Sequence, residues 1–111
     1  MLVTIAQLFE LNSILEVTAS LLMKPAENYK SLNHWIGQAS YQAEVFGPIL
    51  GVSSGEIDAD WRALDEALYT NPADPAIVRL HPNMQRHITK MREGFKKVVE
   101  QVSTQCGEVE I

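Results

Sequence analysis

The chain has 111 residues and a formal net charge of −5, with 46% hydrophobic and 21% charged residues. These values fit one globular domain with a single core and exclude a chain that is disordered over most of its length. The acid excess argues against a nucleic-acid partner, because phosphate binding needs Lys and Arg gathered on one face. Cys106 is the only cysteine, so we expect no disulfide within the chain and a reducing, cytoplasmic compartment.

Residues 1–23 are apolar enough to suggest a targeting or membrane segment. They lack a basic start, however, and Glu10 and Glu16 interrupt the apolar run. A signal peptide or a membrane-spanning helix would not carry two carboxylates at these positions. We therefore expect this segment to belong to the fold and the protein to have no membrane partner.

The first predicted helix, at residues 3–23, carries two apolar stripes side by side. The main stripe, at alternating spacings of three and four, consists of Ile5, Leu8, Asn12, Leu15, Ala19 and Leu22, and the second consists of Leu11, Ile14, Thr18 and Leu21. Together they cover roughly 200° of a helical wheel, whereas a surface helix needs an arc of about 100° or somewhat more. The helix is therefore predicted either to be central in its bundle or to share this arc with another chain.

Asn12 interrupts the apolar seam of the first helix near its middle. A lone Asn in such a seam can pair with its symmetry mate and fix the register of a dimer, or it can bond to a loop of its own chain. Together with the wide apolar arc, it favours a homodimer with the second helix beside the seam. The predicted dimer seam consists of Ile5, Leu8, Leu11, Asn12, Leu15, Ala19 and Leu22.

Proline and glycine separate the remaining helical segments. The second helix is predicted at 26–46, with Pro25 before it and Gly47-Pro48 after it, and Gly37 would allow a neighbouring helix to approach closely. The third is predicted at 54–69, where Ser53 and Glu56 have the spacing of a capping box.

Two further segments complete the prediction. A short helix is expected at 75–80 and is stopped by Pro82, and a long fourth helix is expected at 83–104. Residues 105–111 show no pattern and are expected to fray. The sequence thus predicts a single all-α domain over residues 1–111, with a small four-helix bundle-like fold completed by homodimerisation.

No group of residues predicts catalysis or a cofactor. Met84, His87 and Met91 share one side of the fourth helix and would suit copper, but core packing explains them more simply. Cys106 lies in the predicted frayed tail, where nothing would hold a base beside it. We therefore predict a protein that is not an enzyme and that binds no metal or cofactor.

Charge separates the third and fourth helices. Acidic residues concentrate between 56 and 74, whereas six of the nine basic residues lie between 79 and 97. The two helices are either antiparallel neighbours with complementary flanks or docking faces for a partner of opposite charge. A row of Arg86, Lys90 and Lys97 also allows a DNA-binding alternative that uses helix 83–104, although nearby acids would repel phosphates.

Aromatic and polar residues off the main stripe of the second helix suggest a contact face, unless that helix is buried on two sides. With the basic row, the partner-binding candidates are Trp35, Gln38, Tyr41, Arg86, Lys90 and Lys97. The leading hypothesis is a regulatory protein that binds and inhibits or sequesters another protein. An anti-activator of a transcription regulator is one example, and a phage- or immunity-type inhibitor is an alternative.

Overall fold

A computed structural model describes residues 2–103 and 109–110 and has four long helices. They are α1 (Ile5–Leu21), α2 (Tyr29–Phe46), α3 (Ser54–Thr70) and α4 (Ala76–Ser103), with a 3₁₀ turn at Gly47–Leu50. Strands β1 (Leu2–Val3) and β2 (Val109–Glu110) form a two-residue antiparallel ladder. Apart from this ladder, the regular structure of the described residues is helical, as the sequence predicts.

The four helices form an antiparallel bundle in which α1 packs on α2, α2 on α3, α3 on α4 and α4 on α1. Two hydrogen bonds fix the α2–α3 pairing: Trp61 Nε1 donates to Asn33 Oδ1 at 3.2 Å, and the Ser40 hydroxyl donates to the Ser54 carbonyl at 3.4 Å. The two pairs lie seven residues apart on each helix, so they fix the register of α2 and α3 over two turns.

Most of both apolar stripes of α1 is covered within the chain, where α1 packs against α2 and α4. Leu11 and Leu15 are fully enclosed, and Thr18 is buried because its hydroxyl donates to the Ile14 carbonyl at 2.6 Å. The wide arc therefore chiefly reflects a helix between two neighbours of its own chain. No helix in the described part of the chain is long and apolar enough to cross a bilayer.

The prediction of separate helices at 75–80 and 83–104 is wrong, because α4 runs without a break through Pro82. Ile77 and Leu80 pack against the core and continue the apolar stripe of α4 toward its N-terminus. His81 bonds to the carbonyl of Leu22 and so satisfies one of the acceptors left open at the end of α1. These contacts hold the first turns of α4 in line, while Pro82 faces solvent.

The predicted start of the second helix and the predicted tail also need correction. Helix α2 begins at Tyr29 rather than near residue 26, because Asn28 turns back and its amide donates to the Leu21 carbonyl at 3.2 Å. At the other end, Val109–Glu110 is paired with β1 rather than frayed. The remaining residues of the predicted tail, 105–108 and 111, lie outside the described residues.

Two helices begin with reciprocal capping. The predicted box at α3 is confirmed, since Ser53 accepts from the Glu56 amide at 3.2 Å and Glu56 accepts in return from the Ser53 amide. Thr4 and Gln7 make the same arrangement at α1. Each box satisfies backbone N–H groups that a helix start would otherwise leave open.

Candidate protein-binding surfaces

Most of the predicted dimer seam is buried within its own chain. Its four leucines, Leu8, Leu11, Leu15 and Leu22, are buried within the chain, and Ala19 is partly buried. Ile5 remains 55% exposed, and Asn12 is partly exposed. A surface for another chain on α1 is therefore confined to its first two turns and lies on the edge that faces α4.

An apolar groove lies where the N-terminal end of α1 meets the C-terminal end of α4. Its volume is about 330 Å³, and it is lined by Ile5, Leu8, Phe9, Asn12, Phe95 and Val99. Phe9 is 69% exposed and Val99 is 39% exposed. We call these six residues the α1/α4 groove. Sequence reasoning missed Phe9, although its spacing of four from Ile5 placed both residues on one edge.

Three polar side chains inside and beside the α1/α4 groove, those of Asn12, Glu16 and Arg92, have no hydrogen-bond or ion-pair partner among the described residues. The Asn12 amide lines the groove and makes no hydrogen bond to another described residue. Glu16, one turn further along the same edge of α1, is exposed. Arg92 is exposed on the α1-facing edge of α4, where it borders Ala19 and Leu22. Neither charge forms an ion pair with another described residue, so the groove is bordered by one free acid and one free base.

The α2 candidates form a separate surface. Trp35 is partly buried against the core, and its ring meets that of His34 edge to face at 5.3 Å. Gln38 is partly buried beside it, whereas Tyr41 is 60% exposed one turn further on. This face lies diagonally across the bundle from α4, so the structure does not bring the six partner-binding candidates together.

The basic candidates on α4 remain exposed along its other edge. Arg86, Lys90 and Lys97 are all exposed to solvent. The β-carbon of Lys90 lies close to Gly51, in the loop before α3. The prediction that α3 and α4 are neighbours is confirmed. In the part of the chain that the structure describes, however, no Lys or Arg of α4 forms an ion pair with an acid of α3. The oppositely charged flanks of the two helices therefore do not pair in the described residues, and the basic row remains available to a partner.

A buried histidine joins the same two helices. His87 of α4 is 8% exposed and bonds through Nε2 to the carboxylate of Asp60 on α3. Its Nδ1 is buried without a hydrogen-bond partner among the described residues. Met84 and Met91, one turn to either side, are fully buried in the core, as the packing interpretation expects. Residues 2–103 and 109–110 contain no cluster of three His, Cys, Asp or Glu side chains suited to a metal.

A further apolar patch lies at the opposite end of the bundle. Met23 and Val78 are 71% and 75% exposed and lie beside Pro25, at the turn after α1. Lys24 Nζ and Glu27 Oε2 lie 3.9 Å apart within this patch, so these two charges partly neutralise each other. It has no Phe, Tyr or Trp among its lining residues, and we regard it as a weaker anchor than the α1/α4 groove.

Comparison with known proteins does not assign a family. No family model, no curated protein and no solved structure matches this chain.

Proposed function

We propose that this chain is a non-enzymatic regulatory protein that binds another protein and inhibits or sequesters it. An anti-activator that holds a transcription regulator is the example that fits best, and a phage- or immunity-type inhibitor would act by the same physical means. The observation that carries the proposal is the α1/α4 groove, where Phe9 and Ile5 remain more than half exposed next to Phe95 and Val99.

The composition of the groove supports a protein partner. Exposed apolar side chains are common singly, but a contiguous group with an aromatic side chain is typical of interaction sites. Aromatic anchors of this kind contribute about 2 kcal/mol or more to many interfaces. Phe9 projects from α1 and Phe95 lines the groove while partly buried against the core, so a helix from a partner would meet one exposed and one partly buried ring.

We further propose that a second copy of the chain occupies this groove in the absence of the partner. In the dimer that we propose, α1 of each protomer lies on α4 of its partner. This arrangement would bring Glu16 opposite Arg92 of the other protomer and enclose Phe9 against the partner's apolar residues. The support comes from the matching free charges at the border of the groove and from the unpartnered Asn12 amide inside it. Partner binding would then compete with self-association.

Affinity capture with matched variants tests the function. Tagged wild-type chain, Phe9→Glu and Tyr69→Glu would be used to recover proteins from an extract of the source cells, with quantitative mass spectrometry. Tyr69 is 80% exposed on α3, away from the groove, and serves as the control. We expect one protein to be enriched by the wild type and by Tyr69→Glu, and to be lost with Phe9→Glu.

Two outcomes would contradict the proposal. One is capture of no specific protein by the wild type, and the other is equal capture by Phe9→Glu. A Tyr41→Glu variant adds a test of the α2 face, since loss of capture with this variant alone would move the binding surface from the groove to α2.

A further inference from the structure

We infer that the exposed edge between α3 and α4 binds an acidic amphipathic helix of another protein. This surface is separate from the α1/α4 groove, so the inference goes beyond the proposed function. The binding surface consists of a basic row on α4 and two exposed alanines on α3, and we call it the α3/α4 lane. It consists of Ala59, Ala63, Arg79, Arg86, Lys90 and Lys97.

The basic row follows one edge of α4. Arg79, Arg86, Lys90 and Lys97 are separated by seven, four and seven residues, and all four are exposed. The row spans about 27 Å at the usual rise of an α-helix. A β-carbon at Gly51 would lie 4.0 Å from the Lys90 Cβ, which shows that this edge faces the α3 side of the bundle.

Small residues form the other wall of the lane. Ala59 and Ala63 are exposed one turn apart on α3, and Asp60 between them bonds to His87 of α4. Asp60 therefore marks the side of α3 that faces α4, and the two alanines lie next to it on the solvent side. Short side chains allow a third helix to approach the bundle closely, because helix axes come nearest where the contact residues are small.

The acids of α3 that face its neighbours are already engaged. Glu56 closes the capping box with Ser53, Asp60 bonds to His87, and Asp65 bonds to the Tyr29 hydroxyl on the α2 side. None of these described contacts involves a Lys or Arg of α4. Among the described residues, no basic side chain of the row therefore forms an ion pair with α3, and carboxylates at helical spacing are the complement of the row.

The acidic surroundings favour a protein helix over a nucleic acid. Glu93 is exposed on α4 between Lys90 and Lys97, Glu56 and Glu66 are exposed on α3, and the whole chain has a net charge of −5. A continuous phosphate backbone would approach these carboxylates as well as the basic groups. A helix can carry acids opposite the basic row alone and place small or apolar residues over Ala59 and Ala63.

A synthetic probe tests the α3/α4 lane. The probe is a fluorescein-labelled helical peptide with Glu at spacings of seven, four and seven and with Ala and Leu on the adjoining face. Its binding would be measured by fluorescence anisotropy to the wild-type chain and to two double variants, Arg86→Glu/Lys90→Glu in the lane and Lys30→Glu/Lys96→Glu outside it. Both variants change the net charge equally, and Lys30 and Lys96 are exposed away from the lane.

We expect the lane variant to weaken peptide binding by at least about tenfold and the control variant by less than about twofold, because close charge pairs dominate such contacts. Equal losses in both variants would show attraction to net charge and would overturn the inference. Absence of wild-type binding would overturn it, as would tighter binding of a duplex DNA of the same length. Phe9→Glu should keep the peptide affinity, so failure of the lane and failure of the groove are distinguishable.

Discussion

Gly94 of α4 rests directly on the backbone of Leu50, in the turn between α2 and α3. A β-carbon at position 94 would lie 2.6 Å from the Leu50 Cα and 2.5 Å from the Ile49 carbonyl oxygen. Only glycine fits this separation, since contacts this short with backbone atoms force the helix or the turn to move. The contact fixes the position along α4 at which the α2–α3 turn packs.

Replacing Gly94 with Ala should therefore destabilise the fold. Alanine favours helix by about 1 kcal/mol, but the overpacking against Ile49 and Leu50 outweighs this gain, and we expect a net loss of about 1–3 kcal/mol in the free energy of unfolding. Urea denaturation followed by circular dichroism measures it. Gly37→Ala is the matched control, because a β-carbon there meets nothing within 4 Å. Gly37→Ala should be neutral or stabilising, and equal stability of Gly94→Ala and wild type would contradict the packing.

Removing the Asp60 carboxylate should lower the stability of the fold, because the buried His87 would lose its hydrogen-bond partner. In Asp60→Ala both ring nitrogens of His87 would lack a described partner, and an unsatisfied buried polar group costs about 1–3 kcal/mol. Asp58→Ala, two residues away and exposed, should change stability by less than about 0.5 kcal/mol. Adding His87→Leu to Asp60→Ala should recover part of the loss in thermal unfolding. If the double variant recovers no stability, the Asp60–His87 pair contributes through side-chain packing rather than through its hydrogen bond.

Substituting Pro82 should stabilise α4. Proline inside a helix removes a backbone hydrogen bond and costs about 3 kcal/mol, partly offset by about 0.4–1 kcal/mol because proline restricts the unfolded chain. We expect Pro82→Ala to raise the free energy of unfolding by about 2 kcal/mol in chemical denaturation. Pro72→Ala, in the loop before α4, should give no such gain. A destabilised Pro82→Ala would contradict this prediction and indicate that the fold requires proline at this position.

Asp65 should control the ionisation of Tyr29. The hydrogen bond to the Asp65 carboxylate raises the pKa of Tyr29 above its ordinary value of 10.0, with smaller contributions from burial and from the charge of Asp65. Because the folded state holds this proton more tightly, the stabilisation is complete below the unfolded pKa and is lost as pH rises through the folded pKa. In Asp65→Asn the pKa of Tyr29 should fall toward 10.0, measured by NMR titration of the Tyr29 ring. Glu66→Gln is the control, and an unchanged titration in Asp65→Asn would contradict the contact.

The sequence predicts the helices well because their apolar spacing is regular and their boundaries carry local signals. The Ser53–Glu56 box marks the start of α3 with near-residue accuracy. Pro82 misleads for a physical reason, since a local rule places a break where tertiary contacts of Ile77 and Leu80 hold the helix together. Gly94 is missed because a single glycine within a helix does not reveal which backbone it meets.

The surfaces are harder to predict than the helices. A helical wheel shows how much of α1 is apolar but not which chain covers it, so the leucines of the predicted seam proved to be core. The basic residues of α4 are evident in sequence, yet their availability depends on which acids of α3 are engaged elsewhere. Phe9 and Val99 are far apart in sequence, and only folding brings them to one groove.

The most direct test of the α1/α4 groove is its self-association, measured by size-exclusion chromatography with multi-angle light scattering over a wide concentration range. We predict a concentration-dependent dimer for the wild-type chain and for Tyr69→Glu, and a monomer for Phe9→Glu that retains wild-type helicity. A wild-type chain that stays monomeric at the highest concentration, or a Phe9→Glu variant that dimerises as strongly as wild type, would contradict this account.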